Sequence, residues 1–384
     1  GRYWLLCTRG LESEAEDLVR QALGPSISFQ RLAASSTRLE RISEGHAAVG
    51  QLLMSSPNPL PLGIELPGII QSYVFVAAAT GLSDDKVEGL KELQAFSMTL
   101  GEALSSAAEM LGAKSSTFRA SVIRDGLHQF SSEEAMKAIG SSVGSIMPWK
   151  ASMKCYDLEL LALIHRSNVT FGLSCAELGA ARLGATKPSK LPRERRPWHR
   201  TDARHLRFST ARLLLHFARL KSGQRLLDFC GGMGTIALEA ACCVPHLTAV
   251  SSDVSVKACT MAEGCLKVAE DEDLLAPGSR VTILRRKVEE WIHETGTGFD
   301  VVISELPFGV SIRMLDITGL VQALDTVLKP SGRAALVCAE AQTVDLQNAF
   351  ERSRRSWHVS IRDGNVGGVS VHFVLAECED PQQS

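Results

Sequence analysis

The chain has 384 residues, 45% of them hydrophobic and 22% charged, with a formal net charge of −2. That length exceeds one ordinary core, that composition excludes wholesale disorder, and that charge excludes any global attraction for nucleic acid, so RNA or DNA binding would need a local basic patch. The 10 cysteines form no Cys-x-x-Cys pair and no Cys/His cluster at zinc spacing, which predicts free thiols in a reducing compartment and no metal site.

In chain order, residues 3–7 predict a buried strand and residues 12–23 a helix. Leu11, Ala15, Leu18, Val19 and Ala22 share one face of that helix, and Gly24-Pro25 stops it. Residues 69–79 predict a strand. The apolar run from Tyr73 to Ala79 within it is far short of a membrane span. The first residues lack a charged-then-apolar leader pattern, and an intracellular protein, nuclear or cytoplasmic, is expected. Leu93, Phe96, Leu100, Leu104 and Leu111 recur at helical spacing, which predicts one long helix over 90–111. Residues 118–123 predict a strand. Ser131 with Glu134 three residues on is a capping box opening a helix. Residues 149–156 and 169–176 predict further strands, with 158–165 between them.

Residues 184–207 change character. Pro188, Pro192 and Pro197 break any helix, and eight Lys/Arg stand against Glu194 and Asp202, a net of +6 over 187–207. This is the expected linker. Arg195, Arg196, Arg200 and Arg204 around Trp198 offer phosphate neutralisation and a stacking surface. A merely soluble linker is the bland alternative.

From residue 208 onward helix and strand alternate. A helix is predicted at 210–220, strands at 225–228, 247–251, 281–284, 300–304 and 334–338, and a last strand at 369–375 after a flexible Gly364 to Gly368. This alternation implies a doubly wound α/β sheet.

Two constellations in this half carry chemistry. In Leu226-Leu227-Asp228-Phe229-Cys230-Gly231-Gly232-Met233-Gly234-Thr235 a strand ends, a loop without bulky side chains turns, and a helix begins. Backbone N–H groups of such a loop approach a ligand closely. Asp253, after the next strand, can accept both ribose hydroxyls of an adenosine. By itself the loop fits a methyltransferase, a dinucleotide enzyme through Gly232-x-Gly234-x-x-Ala237, or a plain structural turn. The second constellation is Ser304-Glu305-Leu306-Pro307-Phe308-Gly309, which closes the 300–304 strand at the same sheet edge. An exocyclic amine must be held with its lone pair aimed at the methyl carbon. A side-chain oxygen and a backbone carbonyl accepting its two N–H groups do that, proline stiffens the turn, and an aromatic stacks on the flipped base. Glu305, Leu306, Pro307 and Phe308 supply that set, and a plain hydrophobic turn in which Pro-Phe-Gly ends the strand is the alternative.

Asp228-x-x-x-Gly232-x-Gly234-Thr235 together with Glu305-Leu306-Pro307-Phe308-Gly309 resembles the THUMP-domain-containing RNA guanosine-N2 methyltransferases. Upstream, Phe118-Arg119-x-Ser121, then Gly126-x-His128-x-Phe130-Ser131-Ser132-x-Glu134-Ala135, and Asp157-Leu158-Glu159, are similar to a THUMP module. Leu206-Arg207 and the start from Tyr3 to Glu12 also fit, and the branch linked to U6 small nuclear RNA looks closest. The resemblance implies an N-terminal ferredoxin-like α+β region at 1–112, a THUMP RNA-binding domain at 113–183, the basic linker at 184–207, and a Rossmann-like class I methyltransferase domain at 208–384. It implies S-adenosyl-L-methionine as cofactor, held by Arg207, Asp228, Gly232, Gly234, Thr235, Asp253 and Val288. It implies N2-methylguanosine formed in U6 small nuclear RNA or tRNA, and a small zinc-binding methyltransferase activator protein (TRMT112-like) as partner. Arg119, Arg124, Lys137 and His128 are candidate RNA contacts, each with a solvated or packed surface role as the alternative.

The chain departs from the family pattern. Glu305 stands where Asp or Asn is usual, Phe229 where proline is usual, Cys230 sits one place early, and Val310 replaces a lysine. An acid often found after the third strand is missing beside Lys287-Val288. A weak or inactive RNA-binding protein that retains the fold is therefore the alternative reading.

Overall fold

The structure is a computed structural model that describes residues 1–31, 49–60, 66–113, 117–175, 206–294, 298–307 and 316–378. It divides into two compact units, one of residues 1–7 and 19–193, the other of residues 8–18 and 194–384.

The first unit is built on β1 (Arg2–Cys7), β2 (Ser28–Arg31), β3 (Gly50–Ser55), β4 (Ile69–Thr80), β5 (Thr117–Asp125), β6 (Lys150–Ala151), β7 (Leu158–His165) and β8 (Asn168–Cys175). They form one eight-stranded sheet in the order β2-β3-β1-β4-β8-β7-β5-β6. Residues 158–164 are all buried, as a strand covered on both faces requires. Its helices are α2 (Lys86–Met98), α3 (Gly101–Met110) and α4 (Ser132–Ile146), while α1 (Glu12–Leu23) links β1 to β2. The expected division at 112/113 falls inside this sheet, because β4 pairs with β8 and β8 with β7.

The single helix expected over 90–111 is two. Thr99 ends α2 by turning both its N–H (3.0 Å) and its hydroxyl (2.7 Å) onto the Phe96 carbonyl. A threonine hydroxyl that competes for backbone acceptors, followed two residues later by Gly101, breaks the ladder although the apolar stripe continues. The strand expected over 149–156 shrinks to β6. The capping box is present: Glu134 N–H donates to Ser131 Oγ at 3.1 Å, and Ser131 N–H to Glu134 Oε2 at 2.9 Å.

The second unit contains α5 (Phe208–Phe217), β9 (Arg225–Asp228), α6 (Thr235–Cys243), β10 (Thr248–Asp253), α7 (Val256–Asp271), β11 (Arg280–Arg285), a 3-10 turn (Val288–His293), β12 (Phe299–Glu305), α8 (Ile317–Val327), β13 (Leu328–Ala339), α9 (Glu340–Glu351), β14 (Trp357–Val366) and β15 (Val369–Cys378). The sheet order is β11-β10-β9-β12-β13-β15-β14. The first five strands of that order run parallel, and β15 is antiparallel to both β13 and β14. Strand order reverses between β9 and β12, so the crevice at their carboxyl ends is the switch point where ligands bind in such sheets.

Two expectations change here. The flexible Gly364-to-Gly368 link is a hairpin: β14 runs on through Val366, Gly364 pairs with Val371, and only Gly367 and Gly368 turn, at φ of +61° and +90°. A side chain at Gly364 would collide with Phe373 and the Arg9 carbonyl, so this glycine allows close approach rather than mobility. Residues 8–18, expected in the N-terminal module, pack with the second unit instead. The Thr8 and Thr210 hydroxyls meet at 2.8 Å, and Arg362 Nη1 lies 2.6 Å from Glu14 Oε1.

The core beneath the crevice is Leu227, Phe229, Trp291, Phe299, Leu306 and Leu324 with their neighbours, all buried. Each fully buried side chain of this kind contributes about 1.5–3 kcal/mol. No helix among the described residues is long and apolar enough to cross a membrane.

Candidate active site

Strand register brings the candidate residues to one edge. Asp228 pairs with Ser251, Val302 with Leu227, and Glu305 with Val337. Asp228, Asp253 and Glu305 therefore end three adjacent strands.

At the end of β9 the chain is held by side chains from both neighbouring strands. Ser304 on β12 accepts from the Phe229 N–H at 2.8 Å and donates to Asp228 Oδ1 at 2.9 Å. Asp228 Oδ1 also accepts from the Cys230 N–H at 3.1 Å. Ser252 on β10 donates to the Phe229 carbonyl at 3.3 Å and receives the Trp291 indole N–H at 3.2 Å. The phenylalanine at a usual proline position now has a reason. Its N–H is used, which proline lacks, and its ring packs edge-on to Trp291 at 6.1 Å.

The glycines then do three jobs. A side chain at Gly231 would strike Ser251 Oγ. Gly234 caps α6 in the left-handed region at φ +83°. Gly232, at φ +54°, has nothing within 4 Å of where a side chain would begin, so open space lies over its backbone. Asp253 fixes the loop from below: Oδ2 accepts the Gly232 N–H at 2.9 Å and Oδ1 the Ser255 N–H at 2.8 Å. An ionised carboxylate has about four acceptor sites, so about two remain for a ligand. The buried Thr235 hydroxyl has no partner among the described residues. Val288 is buried at the start of the 3-10 turn, and Arg207 is exposed at the cap of α5 without a side-chain capping bond.

On the other side of the crevice, Leu306 donates its N–H to the Val337 carbonyl at 2.8 Å, with its side chain sealed in the core. Pro307 is partly buried and accepts from Gln342 Nε2 at 3.1 Å. Burial pushes the Glu305 carboxyl up to about 7. Burial also raises Asp228 to about 7, against the opposing Ser304 and Cys230 hydrogen bonds. The Cys230 thiol is pushed far up by burial, followed by the nearby carboxylates. Phe308 lies outside the described residues, as do Arg195, Arg196, Trp198, Arg200 and Arg204.

In the first unit, Arg119 stacks on Tyr156 at 5.6 Å. Arg124 is turned inward, donating to Ser132 Oγ and the His128 carbonyl at 3.2 Å each, over the Phe130 ring at 5.7 Å. Lys137 is exposed and paired with Glu133 at 2.8 Å. His128 is turned into the protein rather than out to solvent. Its side chain is 0% exposed, with Nε2 2.7 Å from the Arg166 carbonyl and the ring 5.1 Å from Phe130. Sequence reading missed Ser252, Ser304, Trp291 and Gln342, whose roles depend on cross-strand register.

A parallel sheet in the order found here, with its last strand antiparallel and a glycine loop at the switch point, is the architecture of a class I methyltransferase. Residues 193–372 match the family model described as the RMKL-like methyltransferase domain. The chain is 28% identical over 209 residues to a Bos taurus U6 snRNA (guanine-N(2))-methyltransferase, THUMPD2, a match covering 54% of this chain and 37% of that protein. It is 24% identical over 192 residues to a Bos taurus tRNA (guanine(6)-N(2))-methyltransferase, THUMP3, covering 47% and 34%. The chain thus matches little more than a third of the length of these curated relatives. Among solved structures, TrmN from Thermus thermophilus superposes with a TM-score of 0.64 at 20% identity, over 98% of this chain and 99% of that one. The chain is a homologue of the THUMP-named guanine-N2 methyltransferases, and the resemblance drawn from its motifs is borne out.

The cofactor of such a domain is S-adenosylmethionine, and the residues fit it. Gly232 leaves room over its backbone, Asp253 keeps acceptor capacity for ribose hydroxyls, and the buried Thr235 hydroxyl lacks a partner among the described residues.

Proposed function

We propose that this protein methylates the N2 amine of guanosine in a structured small RNA, U6 small nuclear RNA or tRNA. The observation that carries the reading is the convergence at one switch point of the Asp228-to-Asp253 cradle and the Glu305-Leu306-Pro307 turn, three adjacent strand ends meeting at one crevice.

The guanine amine is delocalised into its ring and is a poor nucleophile until aligned. Glu305 accepts one amine N–H and the Leu306 carbonyl the other, leaving the nitrogen lone pair directed across the crevice. Asp228, Gly232, Gly234, Thr235 and Asp253 would hold the cofactor, which would supply an activated methyl group on sulfur and leave as S-adenosylhomocysteine. Glu305 is placed to take the proton that the methylated amine gives up. Ionised Glu305 strengthens both the amine hydrogen bond and the pull on that proton. The low-dielectric setting that raises its pKa also strengthens its interaction once charged. Phe308 is the stacking partner for the flipped base.

RNA capture belongs to the THUMP-like residues 113–183 and the basic segment 184–207, through Arg119, Arg195, Arg196, Arg200, Arg204 and Trp198. Arg124 acts indirectly, by holding the turn at His128. A small zinc-binding activator protein is the expected partner, and the nucleus or cytoplasm the expected compartment. Mass spectrometry of nucleosides from cellular small RNA, with and without the protein, tests the reading. N2-methylguanosine falls at one position in its absence. An unchanged nucleoside profile rejects the reading.

A further inference from the structure

The acceptor turn needs a carbonyl aimed at an amine, and carbonyl direction is set by peptide planes. The Leu306 carbonyl lies between two groups that the protein pins. On one side the Leu306 N–H is fixed to the Val337 carbonyl at 2.8 Å. On the other side the Pro307 carbonyl receives Gln342 Nε2 at 3.1 Å, and the proline ring fixes φ between them. Gln342 itself is held at the third position of α9, where its Oε1 accepts the Ala339 N–H at 2.9 Å. Ala339 offers no reciprocal side-chain acceptor, so this is half of a capping box. The next residue anchors the same helical turn: Thr343 Oγ1 lies 2.6 Å from His372 Nδ1 on β15. The Gln342 amide is thus used at both ends. Its oxygen faces a donor and its nitrogen an acceptor, and no other neutral side chain of that length does both.

We propose that Gln342 is a positioning residue for methyl transfer: by clamping the Pro307 carbonyl to the start of α9, it sets the direction of the Leu306 carbonyl that receives the guanine amine. It touches neither substrate nor cofactor and acts through the turn. The inference rests on the proposed guanosine-N2 activity.

Gln342→Glu separates clamping from capping. A carboxylate still accepts the Ala339 N–H, and glutamate at this helix position is favourable, so α9 keeps its start. The same carboxylate cannot donate to the Pro307 carbonyl and repels it. The test measures transfer to U6 small nuclear RNA and pooled tRNA transcripts, S-adenosylhomocysteine affinity by calorimetry, and thermal unfolding. The expected result is a kcat lowered by roughly 10- to 100-fold, the penalty of a misplaced group of about an ångström. Cofactor-product affinity stays at the wild-type value, and because α9 keeps its start the melting temperature falls less than in Gln342→Ala. Gln342→Ala gives a similar kcat loss with a lowered melting temperature, because it removes the cap as well. Wild-type kcat in Gln342→Glu, or a kcat loss matched by an equal loss of S-adenosylhomocysteine affinity, overturns the role while leaving the activity standing. Absence of N2-methylguanosine from wild-type protein on both RNAs overturns the activity and the inference together.

Discussion

The two sides of the crevice are built differently. The cofactor side is fixed many times over: Asp228, Ser252, Ser304 and Asp253 hold the loop of residues 229–234 through backbone and side-chain hydrogen bonds, over a floor of Phe229 and Trp291. Among the described residues the acceptor side hangs on fewer ties, the Leu306–Val337 bond and the Pro307–Gln342 bond. A cofactor common to a whole fold suits a preorganised cradle. A base that must enter from a folded RNA suits a turn whose direction is set by a few replaceable contacts.

The sharpest way to break this contrast is through the floor. Phe229→Ala leaves a cavity against Trp291 and is expected to lower unfolding free energy by about 3–5 kcal/mol, read by urea titration. It should weaken cofactor binding far more than it disturbs the Glu305 side. Ser304→Ala is next. It strips the Phe229 N–H and the Asp228 carboxyl of a buried partner and should cost about 1–3 kcal/mol. Because Ser304 joins the ends of β9 and β12 by its side chain, cofactor affinity and kcat should fall together. Loss of only one of them would show that the two sides are less coupled than the hydrogen bonds indicate.

Glu305→Gln tests the acceptor side by pH. Burial raises the folded-state Glu305 pKa to about 7, against about 4.3 in an unfolded chain. Between these values the folded protein holds a proton that the unfolded chain has released, so stability is full at low pH and declines as pH rises through about 7. Glu305→Gln should therefore melt higher than wild type at pH 8 and match it at pH 4. Its kcat should lose the rise through about pH 7 that ionisation of Glu305 gives the wild type. The smallest effect is expected at Gly232→Ala. The added methyl meets no atom within 4 Å, but φ of +54° costs about 1 kcal/mol, and the methyl occupies the space assigned to cofactor. A modest loss of cofactor affinity with little change in melting is the predicted pattern.

Much of the second unit was legible because its signals are local. Strand, glycine loop and helix start lie within Leu226 to Thr235, and α6 begins at Thr235, where the pattern places a helix start. The acceptor turn was legible from Glu305-Leu306-Pro307 for the same reason. What could not be read is what register and long-range packing decide. Ser304 looks like one more small residue closing an apolar strand until β12 is laid beside β9. Gln342 lies 35 residues from Pro307, and nothing in an amphipathic helix start marks the contact. His128 fits a surface pattern, yet the Arg166 carbonyl and Phe130 enclose it. The hairpin of β14 and β15 hid behind its glycines, which suggested looseness where Gly364 permits tight packing.

The account stands most directly on Glu305. With labelled S-adenosylmethionine and unmodified U6 small nuclear RNA or tRNA transcripts, wild-type protein should place label in N2-methylguanosine. Glu305→Ala should lose that label while binding S-adenosylhomocysteine as tightly as before. Undiminished transfer by Glu305→Ala, or label in a different nucleoside, would contradict the account.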